Sequence, residues 1–306
     1  MGMRKNSATS IILVFLLASA YYAYDSGLLD TFLGIDEPET HIAPSGDSIK
    51  VAAFNIQVFG RTKREKTEVM NVLAEIVREF DIVLVQEIRD SSETTAPIFL
   101  ETINDLEGPE YAYIRSERIG RTSSKEAYAY FYNTETVQYV ADSDFDFDDV
   151  DDVFEREPYV ASFVSGEFDF TLIGIHTKPD DTYHEIGNLT IVFEYVESLG
   201  DERDIMALGD FNADGSYFDE ESWDNPLMAA DYIWVVENSF DTMTKTDWTY
   251  DRIVMTDYTY SGEYITDSSG VYYFDEIYGL NQTFTEEVSD HFPVYAEFSI
   301  VLPDDD

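Results

Sequence analysis

The chain has 306 residues, enough for one large α/β domain or two small ones. Its 63 acidic against 18 basic residues leave a net charge of −45, which opposes docking on nucleic acid or anionic lipid in dilute buffer. At about 1 M salt the Debye length is roughly 3 Å and that repulsion is largely screened, so the composition reads as adaptation to a very salty medium; the other reading is an acidic protein that binds cations or basic partners. Cysteine is absent, which excludes disulfides, thiolate nucleophiles and cysteine-ligated zinc. With 22 tyrosines and 21 phenylalanines the chain can fill a substantial core and is not disordered.

In chain order, Arg4 and Lys5 precede the apolar run IILVFLLASA, and Ala18-Ser19-Ala20 has the small side chains of a signal-cleavage site. The run is shorter than the roughly 20 residues a spanning helix needs. Residues 1–24 are therefore expected to be an export signal, or an uncleaved membrane anchor extended by Tyr21, Tyr22 and Tyr24. Either places the remainder outside the membrane, extracellular or on the cell surface. Residues 25–48 read as a linker, 49–301 as the folded domain and 302–306 as an acidic tail.

Within the domain, IKVAAFNI and DIVLVQEI are short apolar runs of the kind buried strands show. Between them Val69, Val72, Leu73, Ile76, Val77 and Phe80 recur at helical steps, with Thr62 and Glu65 placed for a capping box. A second helix follows Thr182 and Glu185, with Ile186, Leu189, Phe193 and Val196 as its buried stripe. The segment YVASFVSGEFDFTLIGIHT reads as a hairpin turning at Gly166, and AYAYFYN, IMALGDF, YDRIVMT and VYAEFSI as further strands. Many strands with few covering helices predict an α+β fold, two packed sheets flanked by helices.

Polar residues close several of these apolar runs: Asn55, Glu87, His176, Asp210, Asn212, Asp251, Asp290 and His291. Core packing does not need so many, whereas strand ends give a site rigid anchor points. The ordered motifs AAFNIQVFG, IVLVQEIRDS, SKEAYAYFY, FEREPYVASF, IHTKPDD, GDFNADGSYF, YDRIV and SDHFPV resemble the deoxyribonuclease I family, within the endonuclease/exonuclease/phosphatase superfamily. The resemblance runs over about residues 49–300. GDFN and SDH alone point only to the superfamily; SKEAY, EREP and YDRIV point to the deoxyribonuclease branch.

The resemblance implies a four-layer α/β/β/α sandwich of two mixed sheets. It also implies metal-dependent cleavage of DNA phosphodiester bonds with little sequence specificity, leaving 5′-phosphate ends. By position, His176 with Glu126 and His291 with Asp251 match the family's two histidine–carboxylate pairs. Histidine suits proton transfer because its ordinary pKa is near 6.5, and a carboxylate partner fixes its tautomer. Glu87, Asp210, Asp290 and Asn55 match positions that bind Mg²⁺, with Mn²⁺ as a substitute. Asn55 and Asn212 also match positions at the scissile phosphate, Arg156 a phosphate-contacting arginine and Arg89 one that enters the minor groove. Asp144 and Asp152 in DSDFDFDDVDDVF, and Asp241 in DTMTKTDW, match structural Ca²⁺ loops of animal members. The first loop is no EF-hand, since Phe147 stands where the sharp turn needs glycine. DNA is the expected substrate, with no stable protein partner and a monomeric chain.

Departures from the family pattern are specific. Gly215 and Trp248 stand where animal relatives pair two cysteines, which leaves Trp248 packing or bound cations to hold that loop. Gln57 replaces an arginine, and Thr122-Ser123-Ser124 replaces Asn-Ser-Tyr, so two minor-groove contacts are missing or weakened. Arg61 and Lys63 offer replacement phosphate contacts. The alternative function is a phosphodiesterase or phosphatase of the same superfamily acting on lipid or inositol phosphoesters; a non-catalytic cation- or DNA-binding module is the reading from a different class.

Overall fold

The computed structural model describes residues 46–122, 125–200 and 202–303. The expected export signal or anchor, nearly all of the linker and residues 304–306 of the tail lie outside the described residues, as do Ser123 and Ser124. Strand β1 (Ser48–Asn55) leads through helices α1 (Arg61–Arg64) and α2 (Thr67–Val77) to β2 (Ile82–Ile88), which lies parallel to β1. Helix α3 (Thr95–Asn104) precedes the antiparallel pair β3 (Tyr111–Arg115) and β4 (Ala127–Asn133). Short strands β5 (Gln138–Tyr139) and β6 (Phe145–Asp146) both pair with β7 (Tyr159–Ser165), which turns at Gly166 into β8 (Phe168–Gly174). Helix α4 (Thr182–Glu197) then crosses to β9 (Ile205–Asp210), parallel to β8. The chain continues through β10 (Tyr232–Trp234), β11 (Asp251–Thr256), α5 (Asp257–Ser261), β12 (Gly270–Val271), α6 (Phe274–Tyr278) and α7 (Gln282–Val288) to β13 (Val294–Ser299), which pairs antiparallel with β1.

Two mixed sheets result. One has the order β12-β13-β1-β2-β4-β3, the other β10-β11-β9-β8-β7-β5. Each contains one parallel pair, and each parallel pair is joined by a helical crossover, as the geometry of parallel strands requires. Alternation along the strands sorts the side chains into three layers. Val51, Ala53, Leu84, Tyr128, Tyr130, Phe170, Leu172, Met206, Leu208 and Ile253 fill the seam between the sheets. Ala52, Phe54, Val83, Val85 and Phe131 meet α2 and α3 on one outer face. Ile173, Ile205 and Ala207 meet α4 on the other. The expected four-layer α/β/β/α sandwich is present, and both faces of each sheet are buried, which is why the central strands read as unbroken apolar runs.

Local details correct the sequence reading. Residues 61–77 form two helices rather than one, and no capping box forms at Thr62: α1 starts from Gly60 and α2 from Lys66, neither with a side-chain cap. The Glu65 carboxylate accepts from Arg61 Nε at 2.8 Å instead of reaching back to the helix start. Thr182 lies just inside α4, its hydroxyl donating to the carbonyls of Lys178 and Pro179. Glu185 is buried and accepts the backbone N–H groups of Glu155 and Lys178.

Candidate active site

Strand parity builds the site. Residues 51 and 53 of β1, 82 and 84 of β2, 128 and 130 of β4, 206 and 208 of β9, and 253 of β11 face the seam. Extending the same alternation brings Asn55, Gln86, Glu126, Asp210 and Asp251 to the seam at one end, and all five are buried. There the apolar filling gives way to a cluster of polar groups.

Two imidazoles converge in it. His176 Nδ1 lies 2.8 Å from Glu126 Oε1, and His291 Nδ1 lies 2.8 Å from Asp251 Oδ2. Their other nitrogens meet at one atom: Asp210 Oδ2 is 3.2 Å from His176 Nε2 and 3.6 Å from His291 Nε2. Asn55 Nδ2 donates to the same oxygen at 3.0 Å. Burial pushes both imidazoles down, but the carboxylates outweigh it. Glu126 and Asp210 raise His176, against the opposing charge of Arg156. Asp251, Asp210 and Asp290 push His291 up to about 10. Burial likewise disfavours charge on Asp210, yet the two imidazoles hold its carboxyl below the usual range.

Backbone irregularities place the remaining groups. Strand register shifts between Val85 and Ile88, and Glu87 adopts φ 60°. This bulge frees Glu87 from the alternation that would aim it at the outer face. Glu87 Oε1 accepts from Arg89 Nη2 at 2.9 Å, and Arg89 also reaches Glu126 Oε2 at 3.4 Å. Gly209 has φ 135°, and a Cβ there would lie 2.2 Å from the Ile175 carbonyl oxygen, so only glycine lets β9 approach the His176 segment. Asn212, at φ 49°, donates from Nδ2 to the Thr177 carbonyl. Gln57 and Val58 follow each other at φ 33° and 49°, a strained turn for a β-branched residue.

Other predicted residues are engaged differently. Arg156 is buried; its Nε donates to the His176 carbonyl and its Nη2 to the Thr177 carbonyl, both at 2.9 Å, with Nε 3.6 Å from Glu126. It thus braces the His176 segment. Lys63 is buried and donates to the carbonyls of Ile56 and Val288, which removes it from the expected phosphate contacts. Arg61 is exposed and paired with Glu65. His184 is exposed against Asp181. Asp144 accepts the hydroxyls of Tyr139 and Tyr159, whereas Asp152 is exposed beside Arg121. Asp241 is exposed as well. Among the described residues, the acid–histidine groups close enough to share an ion are Glu87, Glu126 and His176, and Asp210, Asp251 and His291; neither contains Asp144, Asp152 or Asp241. Where the resemblance implies a disulfide in animal members, a Cβ on Gly215 would lie 3.0 Å from the Trp248 ring, which stacks on Tyr250 at 5.3 Å. Ring packing joins the two segments there.

Sequence reasoning missed several supporting groups. Gln86 bridges the sheets, its Nε2 donating to the Ile175 carbonyl and its Oε1 accepting the Asp210 N–H. The Tyr128 hydroxyl accepts the His176 N–H, and Thr242 Oγ1 accepts the N–H groups of Tyr250 and Asp251. A glutamine inside the apolar run IVLVQEI was the visible signal, since a buried amide must find partners.

The site fits a hard divalent cation. Asp251 Oδ1 and Asp290 Oδ1 are buried oxygens that accept no hydrogen bond. The donors around them are carboxylate, carboxamide and imidazole, with oxygen predominating, as Mg²⁺ prefers.

Comparison with known proteins identifies the family. The endonuclease/exonuclease/phosphatase family model matches residues 52–291. Mouse deoxyribonuclease gamma is 34% identical over 258 residues, covering 81% of this chain and 83% of its own. Bovine deoxyribonuclease-1 is 35% identical over 260 residues, covering 81% and 92%. An endonuclease/exonuclease/phosphatase family protein from Bacteroides thetaiotaomicron shares the fold, with a TM-score of 0.56 at 19% identity over 83% of this chain and 98% of that one. By the order of its motifs, its two-sheet fold and its sequence identity, the chain belongs to the deoxyribonuclease I family of the endonuclease/exonuclease/phosphatase superfamily.

Proposed function

We propose that this protein is an exported, metal-dependent endonuclease that hydrolyses DNA phosphodiester bonds with little sequence specificity, leaves 5′-phosphate ends and works in concentrated salt. The observation that carries the reading is the convergence of two carboxylate-backed imidazoles on Asp210 Oδ2. Two proton-transfer groups facing one point suit a reaction in which a water loses a proton and a leaving oxygen gains one. Relatives named deoxyribonuclease gamma and deoxyribonuclease-1 support DNA as the substrate.

In this mechanism each Nδ1 is held by its carboxylate, so the reactive nitrogen of each ring is Nε2. One imidazole takes the proton of the attacking water and the other delivers a proton to the departing 3′-oxygen. Asn212 and Asn55 orient the phosphate, and Arg156 keeps the His176 segment in place. Glu87, Asp290 and Asn55, with Asp210, would hold Mg²⁺ or Mn²⁺, which neutralises charge on the phosphoryl oxygens when bound. Molar salt would screen the net charge of −45 and let DNA approach, which supports work in concentrated salt. The N-terminal apolar run supports export.

The test is nicking of supercoiled plasmid with Mg²⁺ across a KCl series, beside hydrolysis of small lipid and inositol phosphoesters. Nicking that requires Mg²⁺, persists in molar salt and disappears in the His176→Ala/His291→Ala double variant is expected. No nicking at any salt, or far faster turnover of the small phosphoesters, overturns the proposal.

A further inference from the structure

The strained turn at Gln57-Val58 has an organisation that core packing does not ask for, since Val58 is 54% exposed. Three of its N–H groups face three residues of the site. Gln57 N–H donates to Asn55 Oδ1 at 3.0 Å, Gln57 Nε2 to Asp290 Oδ2 at 2.7 Å, and Val58 N–H to Glu87 Oε2 at 2.5 Å. The turn is braced from behind: Lys63 Nζ holds the Ile56 carbonyl at 2.9 Å and Ser289 Oγ the Asn55 carbonyl at 2.6 Å.

The Gln57 contact is the most consequential of these. Asp290 has two carboxylate oxygens, and Gln57 takes Oδ2. Oδ1 is buried, accepts no hydrogen bond and lies 3.8 Å from His291 Nε2. The amide therefore decides which oxygen is presented to the site. We propose that Gln57 is a positioning residue for the divalent cation, pinning Asp290 Oδ2 so that Oδ1 is the oxygen offered to the ion. The inference rests on the metal-dependent reading above. Groups that orient a metal ligand from behind tune affinity without touching the ion. Glutamine performs this task without charge.

The test uses the full chain in molar KCl with Mn²⁺ alone as probe, free Mn²⁺ being followed by electron paramagnetic resonance without DNA. The wild type is expected to show a tight Mn²⁺ site that Asp290→Asn removes. Gln57→Leu should weaken that site by about 10–100-fold while the urea unfolding midpoint stays in place. In nicking assays the Mn²⁺ concentration for half-maximal rate should rise by the same factor, with the rate at saturating Mn²⁺ retained. Gln57→Arg, which keeps a side-chain donor for Asp290 Oδ2, should retain the site. Unchanged Mn²⁺ affinity in Gln57→Leu overturns the role of Gln57 and leaves the metal reading standing. A wild type with no tight Mn²⁺ site overturns both.

Discussion

The mouth of the inter-sheet seam and the stretch 142–154 are both rich in acids, and they use them in opposite ways. At the mouth, Glu126 and Asp251 are fully buried and each meets an imidazole at 2.8 Å. In the stretch, Asp148, Asp151 and Asp152 are exposed, Asp149 accepts the N–H groups of Val153 and Phe154, and Asp144 accepts two tyrosine hydroxyls. Acid density is thus no guide to a site. What distinguishes the mouth is a strand scaffold that fixes the direction of each carboxylate, and burial that obliges each to find a partner.

The largest effects should come from the mouth. His176→Ala and His291→Ala are each expected to lower the plasmid-nicking rate by about 10²–10⁴-fold, the usual contribution of a proton-transfer group. Retention of most activity in either variant would break the contrast with the acidic stretch. Arg156→Met should cost about 3–5 kcal/mol in urea unfolding, because it removes a buried cation beside Glu126. A smaller loss would mean that Glu126 is adequately compensated by His176 and Arg89.

Lys63 sharpens the contrast through pH. Burial lowers its pKa to about 8, against the opposing pull of Asp290 and Glu87. Between that value and the unfolded lysine's pKa of roughly 10.4, the unfolded chain holds a proton that the folded chain has released, so stability rises with pH. Relative to Lys63→Met, the wild type should gain about 1–3 kcal/mol between pH 7 and pH 10 in urea unfolding. A flat difference would show that the ammonium stays charged in the fold.

The acidic stretch should respond least. Asp144→Asn, which weakens the acceptor for Tyr139 and Tyr159, is expected to cost about 1–2 kcal/mol with nicking unchanged. Asp152→Asn, with its side chain exposed beside Arg121, should change neither stability nor nicking measurably. Loss of nicking in either variant would join the stretch to the site.

Much of the site was legible in the sequence, because polar residues close its apolar runs and the motifs stand in the order of the family they resemble, and period two explains why the strand ends converge. Once VAAFN, IVLVQ and IMALGD are read as strands, the alternation that fills the seam with Val51, Leu84 and Leu208 also carries Asn55 and Asp210 to the same face, and the same rule applied to Gln86 would have found the residue that the sequence reading missed. The motif order gave the partners of His176 and His291. Where the reading failed, a local signal lost to a tertiary one. Thr62 and Glu65 have the spacing of a capping box, but Glu65 pairs with Arg61 and Lys63 turns inward to two carbonyls, one of them 225 residues away in the chain.

The sequence by itself determined the strands of a two-sheet sandwich and the polar residues that close them, because apolar alternation and residue type act locally, while the histidine–carboxylate pairs were expected from the resemblance to the family. Only the tertiary structure decided that both imidazoles meet on one oxygen of Asp210, that a bulge redirects Glu87, and that Arg156 and Lys63 spend their charges bracing backbone. Those outcomes depend on which distant groups are left in need of a partner once the sheets have closed, and that need arises from burial rather than from spacing along the chain.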